Sequence, residues 1–147
     1  MTRALDGAEL AGRINEVHAD TVVDWNETDI WIEPQSLPPI ARFLTETPDL
    51  DFAFLVAVSA VDYVEYFEIV YHLLSMRRNA SVVLKTRCYG RDEPVVPSVV
   101  DIWRGAELQE REIWDLMGIR FEGHPNMKRV LLWEEFPGHP LRRDYLR

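Results

Sequence analysis

The chain of 147 residues is 47% hydrophobic and 28% charged, which is the size and composition of one globular domain. Its formal net charge of −9 argues against nucleic-acid binding, because such proteins concentrate positive charge to displace counterions from phosphates. Cys88 is the single cysteine, so this chain alone cannot build an internal disulfide, an iron–sulfur cluster or a cysteine-ligated zinc site.

Charge and hydropathy are unevenly distributed along the chain. Residues 1–102 carry the whole net charge of −9, whereas residues 103–147 are balanced and are the better candidate for contact with a partner. The N-terminal residues lack the apolar core of a signal peptide, and the longest apolar run, residues 52–61, is about half of what spans a bilayer. We therefore expect a cytoplasmic protein that meets membranes only through a partner.

The first third of the chain predicts a helix, a hairpin and a second helix. A capping-box pattern at residues 6–9 begins a helix that we expect to end near Asp20. Two short β-rich runs around Asn26 and Glu27 predict a hairpin. The second helix is predicted from Ser36 to Thr47.

Three strands are predicted next. The run from Phe52 to Val61 is apolar on both faces, which favours a central strand covered from two sides. The segments Tyr66–Met76 and Ser81–Cys88 alternate between apolar and polar residues, and short turns at residues 62–65 and 77–80 suit hairpins. We therefore predict a largely antiparallel arrangement of these strands.

A helix is predicted from about Ser98 to Met117, either continuous or in two pieces separated by Gly105, with Gly118 ending it in a left-handed cap. The order α-β-β-α-β-β-β-α followed by an extended tail predicts an α+β fold, with helices packed on a largely antiparallel mixed sheet. Within this single domain, we expect residues 1–102 to form the core and residues 103–147 to form the last helix and the tail.

The residues give little support for an active site. There is no phosphate-binding glycine loop and no nucleophile elbow, and Glu110 and Glu112 lie on different faces of a helix. We predict no catalytic, cofactor-binding or metal-binding residue and no small-molecule substrate. On the same helix, Glu107–Arg111 and Arg111–Asp115 have the i,i+4 spacing of ion pairs.

Two Gly-His-Pro tripeptides, at residues 123–125 and 138–140, leave an alternative open. His124 and His139 could bind a metal with a carboxylate as third ligand, as in a small metal-dependent hydrolase, although their spacing is only permissive. The candidate third ligands are Glu122, Glu134 and Glu135. The structural interpretation is that both imidazoles hydrogen-bond neighbouring backbone in surface turns.

The tail has the composition of a protein interface. Aromatic residues there are interleaved with basic ones, and Trp, Tyr and Arg are the residue types that most often anchor interfaces. The aromatic members are Trp103, Trp114, Phe121, Trp133, Phe136 and Tyr145, and the basic members are Arg120, Lys128, Arg129, Arg142, Arg143 and Arg147. The alternative is that the tail only wraps its own sheet.

This segment also resembles a known family. Glu110-Arg-Glu112, Asp115-Leu-Met117, His124, Lys128 and Val130-Leu131 are similar to the signature of the C subunit of NADH–quinone oxidoreductase, which is the 30 kDa subunit of respiratory complex I. The order of elements agrees too, so the resemblance extends over essentially the whole chain.

The resemblance implies a scaffold in a proton-translocating NADH (or ferredoxin)–quinone oxidoreductase. Members lie in the hydrophilic arm on the cytoplasmic side of the membrane, where they bind the large, hydrogenase-like D subunit beside the iron–sulfur B and I subunits. It also implies that FMN, iron–sulfur clusters and quinone belong to these and other partner polypeptides. The expected partner-interface residues are Glu110, Arg111, Glu112, Asp115, His124, Lys128, Arg129, Trp133, His139, Arg142, Arg143 and Tyr145. An equivalent component of a membrane-bound group-four hydrogenase is the alternative.

Overall fold

The computed structural model describes residues 2–146. Its helices are α1 (Gly7–Val17), α2 (Leu37–Glu46) and α3 (Ala106–Met117), and a 3-10 turn at Pro34–Ser36 precedes α2. Its strands are β1 (Arg3–Ala4), β2 (Val22–Trp25), β3 (Asp29–Ile32), β4 (Phe54–Asp62), β5 (Phe67–Ser75), β6 (Ala80–Cys88), β7 (Val95–Pro97) and β8 (Arg120–Glu122).

The main sheet has the strand order β2-β3-β6-β5-β4, and β1 pairs with the beginning of β6. Hairpins make β2–β3, β4–β5 and β5–β6 antiparallel, whereas β3 and β1 run parallel to β6. A separate two-stranded parallel sheet joins β7 and β8. The predicted α+β class with a largely antiparallel mixed sheet is confirmed.

One face of the main sheet carries the core. Phe67, Ile69 and Tyr71 on β5 point into it, as the alternation of the sequence predicts. The buried residues of all three helices join the same cluster, so the helices pack on this face. They include Leu10 and Ile14 of α1, Leu37, Ile40, Ala41 and Leu44 of α2, and Ala106, Ile113 and Met117 of α3.

The prediction for β4 was wrong in one respect, because this strand lies at the edge of the sheet and not at its centre. Phe54 and Val56 on its outward side are exposed. Helix α3 runs beside this edge, and the Gln109 side chain accepts a 2.7 Å hydrogen bond from the Val58 N–H. An apolar run shows that a strand can be buried on both faces, but strand order decides whether it is.

Two helix boundaries also differ from prediction. Helix α1 ends at Val17, before Asp20. Helix α3 begins at Ala106, directly after the predicted break at Gly105, and the residues from Ser98 to Gly105 form turns instead of a first helical piece. The predicted left-handed cap at Gly118 is confirmed by its φ of +73°.

Candidate partner interface

Glu110, the first acid of the Glu-Arg-Glu motif, is buried within the protein. Its side chain is 0% exposed and accepts hydrogen bonds from the Ser98 hydroxyl at 2.6 Å and the Val99 N–H at 3.0 Å. Burial raises the pKa of Glu110 to about 7, although these two donors oppose the shift. Glu110 therefore holds the turn before α3 in place and cannot touch a partner directly in this conformation.

Asp115 organises the backbone of the tail, which is the irregular segment that follows β8 (Arg120–Glu122). Its carboxylate, also 0% exposed, accepts hydrogen bonds from three successive backbone N–H groups. These come from Val130 at 3.2 Å, Leu131 at 2.7 Å and Leu132 at 2.9 Å. Burial alone would raise the pKa of Asp115, but the N–H donors and the Arg129 guanidinium hold it below its usual range.

Two arginines complete the attachment of the tail to α3. Arg111 donates to the carbonyls of Lys128 at 3.0 Å and Arg129 at 3.1 Å. Arg129 pairs with Asp115 at 3.0 Å and also donates to the carbonyls of Phe136 and Gly138. The Arg129 guanidinium thus hydrogen-bonds to three different residues of the chain at once.

Of the two ion pairs predicted on α3, one is confirmed. Glu107 and Arg111 approach to 3.7 Å. The predicted pair between Arg111 and Asp115 was wrong, since Asp115 pairs with Arg129 of the tail instead. Arg129, which is distant in the sequence and has several donors, thus replaces Arg111 as the partner of Asp115.

The two Gly-His-Pro turns dock on different parts of α3. The His124 Nε2 lies 2.9 Å from the Glu107 carbonyl, while its Nδ1 accepts from the Asn126 N–H. The His139 Nδ1 lies 2.9 Å from the Asp115 carbonyl, to which it donates. The interpretation that these imidazoles hydrogen-bond the backbone is confirmed.

These positions keep the two histidines apart. The carbonyls that they contact are separated by about 12 Å along the helix axis. Within residues 2–146, no three or more His, Cys, Asp or Glu side chains form a group that could hold a metal ion. The structure therefore does not bring the residues of the metal alternative together.

The end of the tail is attached to the β4–β5 end of the main sheet by Asp62. This buried carboxylate pairs with Arg91 at 2.6 Å and accepts from the Arg143 N–H at 2.9 Å. Arg91 also pairs with Asp144, to which Arg142 is bonded as well. The hydrogen bonds from Arg91, followed by those from backbone N–H groups, lower the pKa of Asp62 well below its usual range.

Asp62 and Arg91 anchor the end of the tail, and sequence reasoning missed both of them. In the sequence, Asp62 stands out only as part of a turn, and Arg91 lies 29 residues further along the chain. The signal that was present is a lone acid directly after the apolar run of β4, since a carboxylate enclosed beside such a run needs a partner.

The tail presents apolar side chains outward while its polar groups face inward. Leu131 is 61% exposed and Trp133 is 64% exposed, and Val130 and Leu141 are exposed as well. Phe136 is half-buried between the rings of Trp133 and Tyr145, and the Tyr145 hydroxyl donates to the Pro137 carbonyl. The segment is thus ordered on the domain without burying its apolar surface.

The predicted interface residues therefore fall into three groups. Exposed members are Glu112, Lys128, Trp133 and Arg143. Half-buried members that bond or pack within the chain are Arg111, His124, Arg129, His139, Arg142 and Tyr145. Glu110 and Asp115 are enclosed, so any effect on a partner is through the shape they impose.

The fold and this segment define a small α+β domain with an ordered, aromatic-rich C-terminal surface. Residues 30–147 match the family described as "Respiratory-chain NADH dehydrogenase, 30 Kd subunit", and the chain belongs to this family. It is 39% identical to the NADH-quinone oxidoreductase C subunit of Roseiflexus sp. (strain RS-1), over 96% of this chain and 84% of that protein. Identity is 43% to the corresponding C 2 subunit of Rhizobium meliloti (strain 1021), over 78% of this chain and 63% of that protein.

A solved structure is similar as well. It is a chain in the membrane-bound sulfane sulfur reductase, an archaeal respiratory membrane complex, with a TM-score of 0.77 and 25% identity. The match covers 94% of this chain and 84% of that chain. Within the described residues, none of the helices is long and apolar enough to span a membrane.

Proposed function

We propose that this chain is a non-catalytic, peripheral subunit of a respiratory NADH–quinone oxidoreductase. There it holds the large, hydrogenase-like D subunit beside the iron–sulfur B and I subunits, on the cytoplasmic side of the membrane. FMN, iron–sulfur clusters and quinone are bound by the partner polypeptides, and membrane association comes through the complex. Family membership supports the assignment to this class of complex.

The single observation that carries the scaffold role is the outward apolar surface of the tail. Leu131 and Trp133 are more than half exposed although the backbone beside them is fixed by the Asp115 carboxylate. An apolar surface left exposed by an ordered segment is typical of a protein interface. Because the backbone is already ordered, little conformational entropy is lost when a partner covers it.

Co-purification tests this role in the intact assembly. We expect the double variant Leu131→Ser, Trp133→Ala to reduce recovery with the tagged large subunit by roughly tenfold or more, since such anchors carry much of an interface's free energy. The matched control is Met76→Ser, an apolar side chain in the β5–β6 turn that is even more exposed. Recovery of the double variant at the wild-type level would contradict the proposal.

A second candidate is the equivalent component of a membrane-bound group-four hydrogenase. The similarity in fold to a chain of an archaeal respiratory membrane complex supports this second candidate. The electron donor distinguishes the two. Oxidation of NADH by the purified assembly supports the first candidate, and hydrogen evolution supports the second.

A further inference from the structure

A second exposed surface lies on the main sheet, on the face opposite the core. At one end of this face, side chains from β2, β3, β6 and the β4–β5 turn come together. We call this surface the aromatic patch. Its members are Val23, Trp31, Tyr63, Tyr66, Arg87 and, directly after β6, Tyr89. Val64 is included because it follows Tyr63 in the exposed β4–β5 turn.

The rings of the aromatic patch form a continuous row. Tyr66 lies between Tyr63 and Tyr89, with centroids 5.3 Å and 5.6 Å away. The Arg87 guanidinium lies 5.0 Å from the Tyr66 ring and 5.7 Å from the Trp31 ring. This packing restricts side-chain freedom before anything binds.

The patch is open to solvent. Tyr89 is 66% exposed and Tyr63 is 47% exposed, and Val23 and Val64 are exposed as well. In the part of the chain that the structure describes, the three helices contribute their buried residues to the other face of the sheet. Exposed tyrosines with fixed geometry are typical anchors of protein interfaces.

The backbone of the β4–β5 turn is held in a strained conformation within the patch. Val64 has a φ of +72°, which is rare for a β-branched residue. Its N–H donates to the Asp62 carboxylate at 2.8 Å, and its carbonyl accepts from Arg91 at 3.2 Å. The ion pair between buried Asp62 and half-buried Arg91 thus fixes the turn that presents Tyr63 and Val64 outward.

The electrostatic surroundings of the patch are acidic. The cations near the patch are engaged within the chain. Lys85 and Arg87 both pair with Glu68, and Lys85 also pairs with Asp29. Arg91 pairs with Asp62 and Asp144. Exposed carboxylates border the patch, and they are Asp24, which pairs with Trp31 between β2 and β3, Glu33, which lines the same groove as Trp31 and Tyr89, and Glu65 of the β4–β5 turn. A second copy of this chain, with its own net charge of −9, would be repelled from such a surface.

We propose that the aromatic patch binds a basic segment of another polypeptide in the same assembly. Lysine or arginine side chains of that segment lie over the faces of Tyr63 and Tyr89 and are attracted by the bordering carboxylates. The inference rests on the proposed function only in placing the chain within a multi-subunit assembly. The aromatic patch and the apolar surface of the tail are formed by different side chains, although the Asp62–Arg91 pair contacts both segments.

Photo-crosslinking in the assembled complex tests the identity of the occupant. A benzophenone amino acid is introduced at position 89, with position 76 as the matched exposed control in the β5–β6 turn at the far end of β6. We expect position 89 to crosslink to a segment of another subunit that carries net positive charge, and position 76 not to label that segment. A crosslink to a second copy, to lipid or to an acidic segment overturns the proposal, as does no crosslink in an intact assembly.

A second measurement separates this proposal from the role of the tail. We expect Tyr63→Ser, Tyr89→Ser to reduce recovery of the assembly by about tenfold and Glu65→Lys to reduce it further at low salt. The tail variant at Leu131 and Trp133 is compared in parallel. If recovery of the assembly falls with the patch variants and not with the tail variant, the patch proposal is supported and the role of the tail is contradicted. If recovery falls with the tail variant alone, the patch proposal is overturned. Glu65 is exposed, so we expect Glu65→Lys to fold even if the double variant Tyr63→Ser, Tyr89→Ser does not. The proposal then remains testable with Glu65→Lys alone.

Discussion

The Asp115 carboxylate accepts a 2.7 Å hydrogen bond from the backbone N–H of Leu131, which lies 16 residues further along the chain. A buried acid on α3 thus determines the path of the tail, while the side chain of Leu131 remains exposed. This separation of roles, with polar groups inward and apolar groups outward, is the physical basis of the proposed interface.

Removing the Asp115 carboxylate should release the tail. In Asp115→Ala, three backbone N–H groups and the Arg129 guanidinium lose their acceptor. Because Arg129 is left without its charged partner, we expect a loss of roughly 3 kcal/mol in the free energy of unfolding. Urea denaturation measures this loss, and hydrogen exchange should show faster exchange at residues 129–132.

The control for this variant is Glu112→Ala on the same helix. Glu112 is exposed, so its replacement should change the free energy of unfolding by less than about 0.5 kcal/mol. Equal stability of the two variants would mean that Asp115 does not organise the tail.

The cap of α3 should tolerate no side chain at position 118. Gly118 has a φ of +73°, and a Cβ there would lie 2.6 Å from Cδ2 of His139. We expect Gly118→Ala to destabilise the protein by about 2 kcal/mol or more, because left-handed strain adds to a clash with the docked imidazole.

Gly105→Ala is the matched control in thermal denaturation. A Cβ at Gly105 meets nothing within 4 Å, and its φ of −60° suits any residue. Its melting temperature should stay near that of the wild type. A similar drop for both variants would show that the contact with His139 is unimportant.

Glu110 should make stability depend on pH. Its pKa is raised from 4.5 to about 7 in the folded protein, so the carboxyl group binds a proton more tightly in the folded protein than in the unfolded chain. The resulting stabilisation is complete below about pH 4.5 and is lost as the pH rises through about 7. Relative to Glu110→Gln, the wild type should lose up to about 3 kcal/mol over this interval.

Chemical denaturation at several pH values from about 4 to about 8 measures this difference. Gln keeps the shape and one acceptor oxygen but does not titrate, so the comparison removes the contribution of the other carboxylates. Parallel pH profiles for the two proteins would show that Glu110 titrates in its ordinary range.

Arg129→Lys should loosen the second half of the tail although the charge is kept. The guanidinium bonds Asp115 and the carbonyls of Phe136 and Gly138, whereas an ammonium cannot reach all of them in the same geometry. We expect a loss of about 1–3 kcal/mol. Hydrogen exchange should increase at the Phe136 N–H, which bonds the Trp133 carbonyl, and Lys128→Arg, at an exposed site, should leave exchange unchanged.

Local patterns were sufficient for much of the fold. The α2 helix, the three hairpins and the cap at Gly118 depend on residues that are close together in the sequence, so periodicity and turn chemistry reveal them. The edge position of β4 could not be predicted in this way. Strand order depends on pairing between distant segments, and the apolar run of β4 suits both a central and an edge position.

The candidate site was predicted in composition but not in geometry. The sequence indicated that Arg129, Trp133 and His139 belong to one functional segment. It did not indicate that Asp115 pairs with Arg129. The i,i+4 spacing on the helix favours Arg111 as the partner of Asp115 instead. Nor did it connect Asp62 with Arg91 and Arg143, since these residues are 29 and 81 positions apart from it.

By itself, the sequence determined an acidic α+β domain whose last helix is capped by Gly118 and is followed by an aromatic, arginine-rich tail. Capping, periodicity and composition are local properties, and they require no knowledge of which segments meet. Only the tertiary structure decided that Glu110 and Asp115 are buried and that Trp133 and Tyr89 are exposed. Burial is a property of contacts between distant parts of the chain, so identical side chains become internal anchors or outward surfaces according to what packs against them.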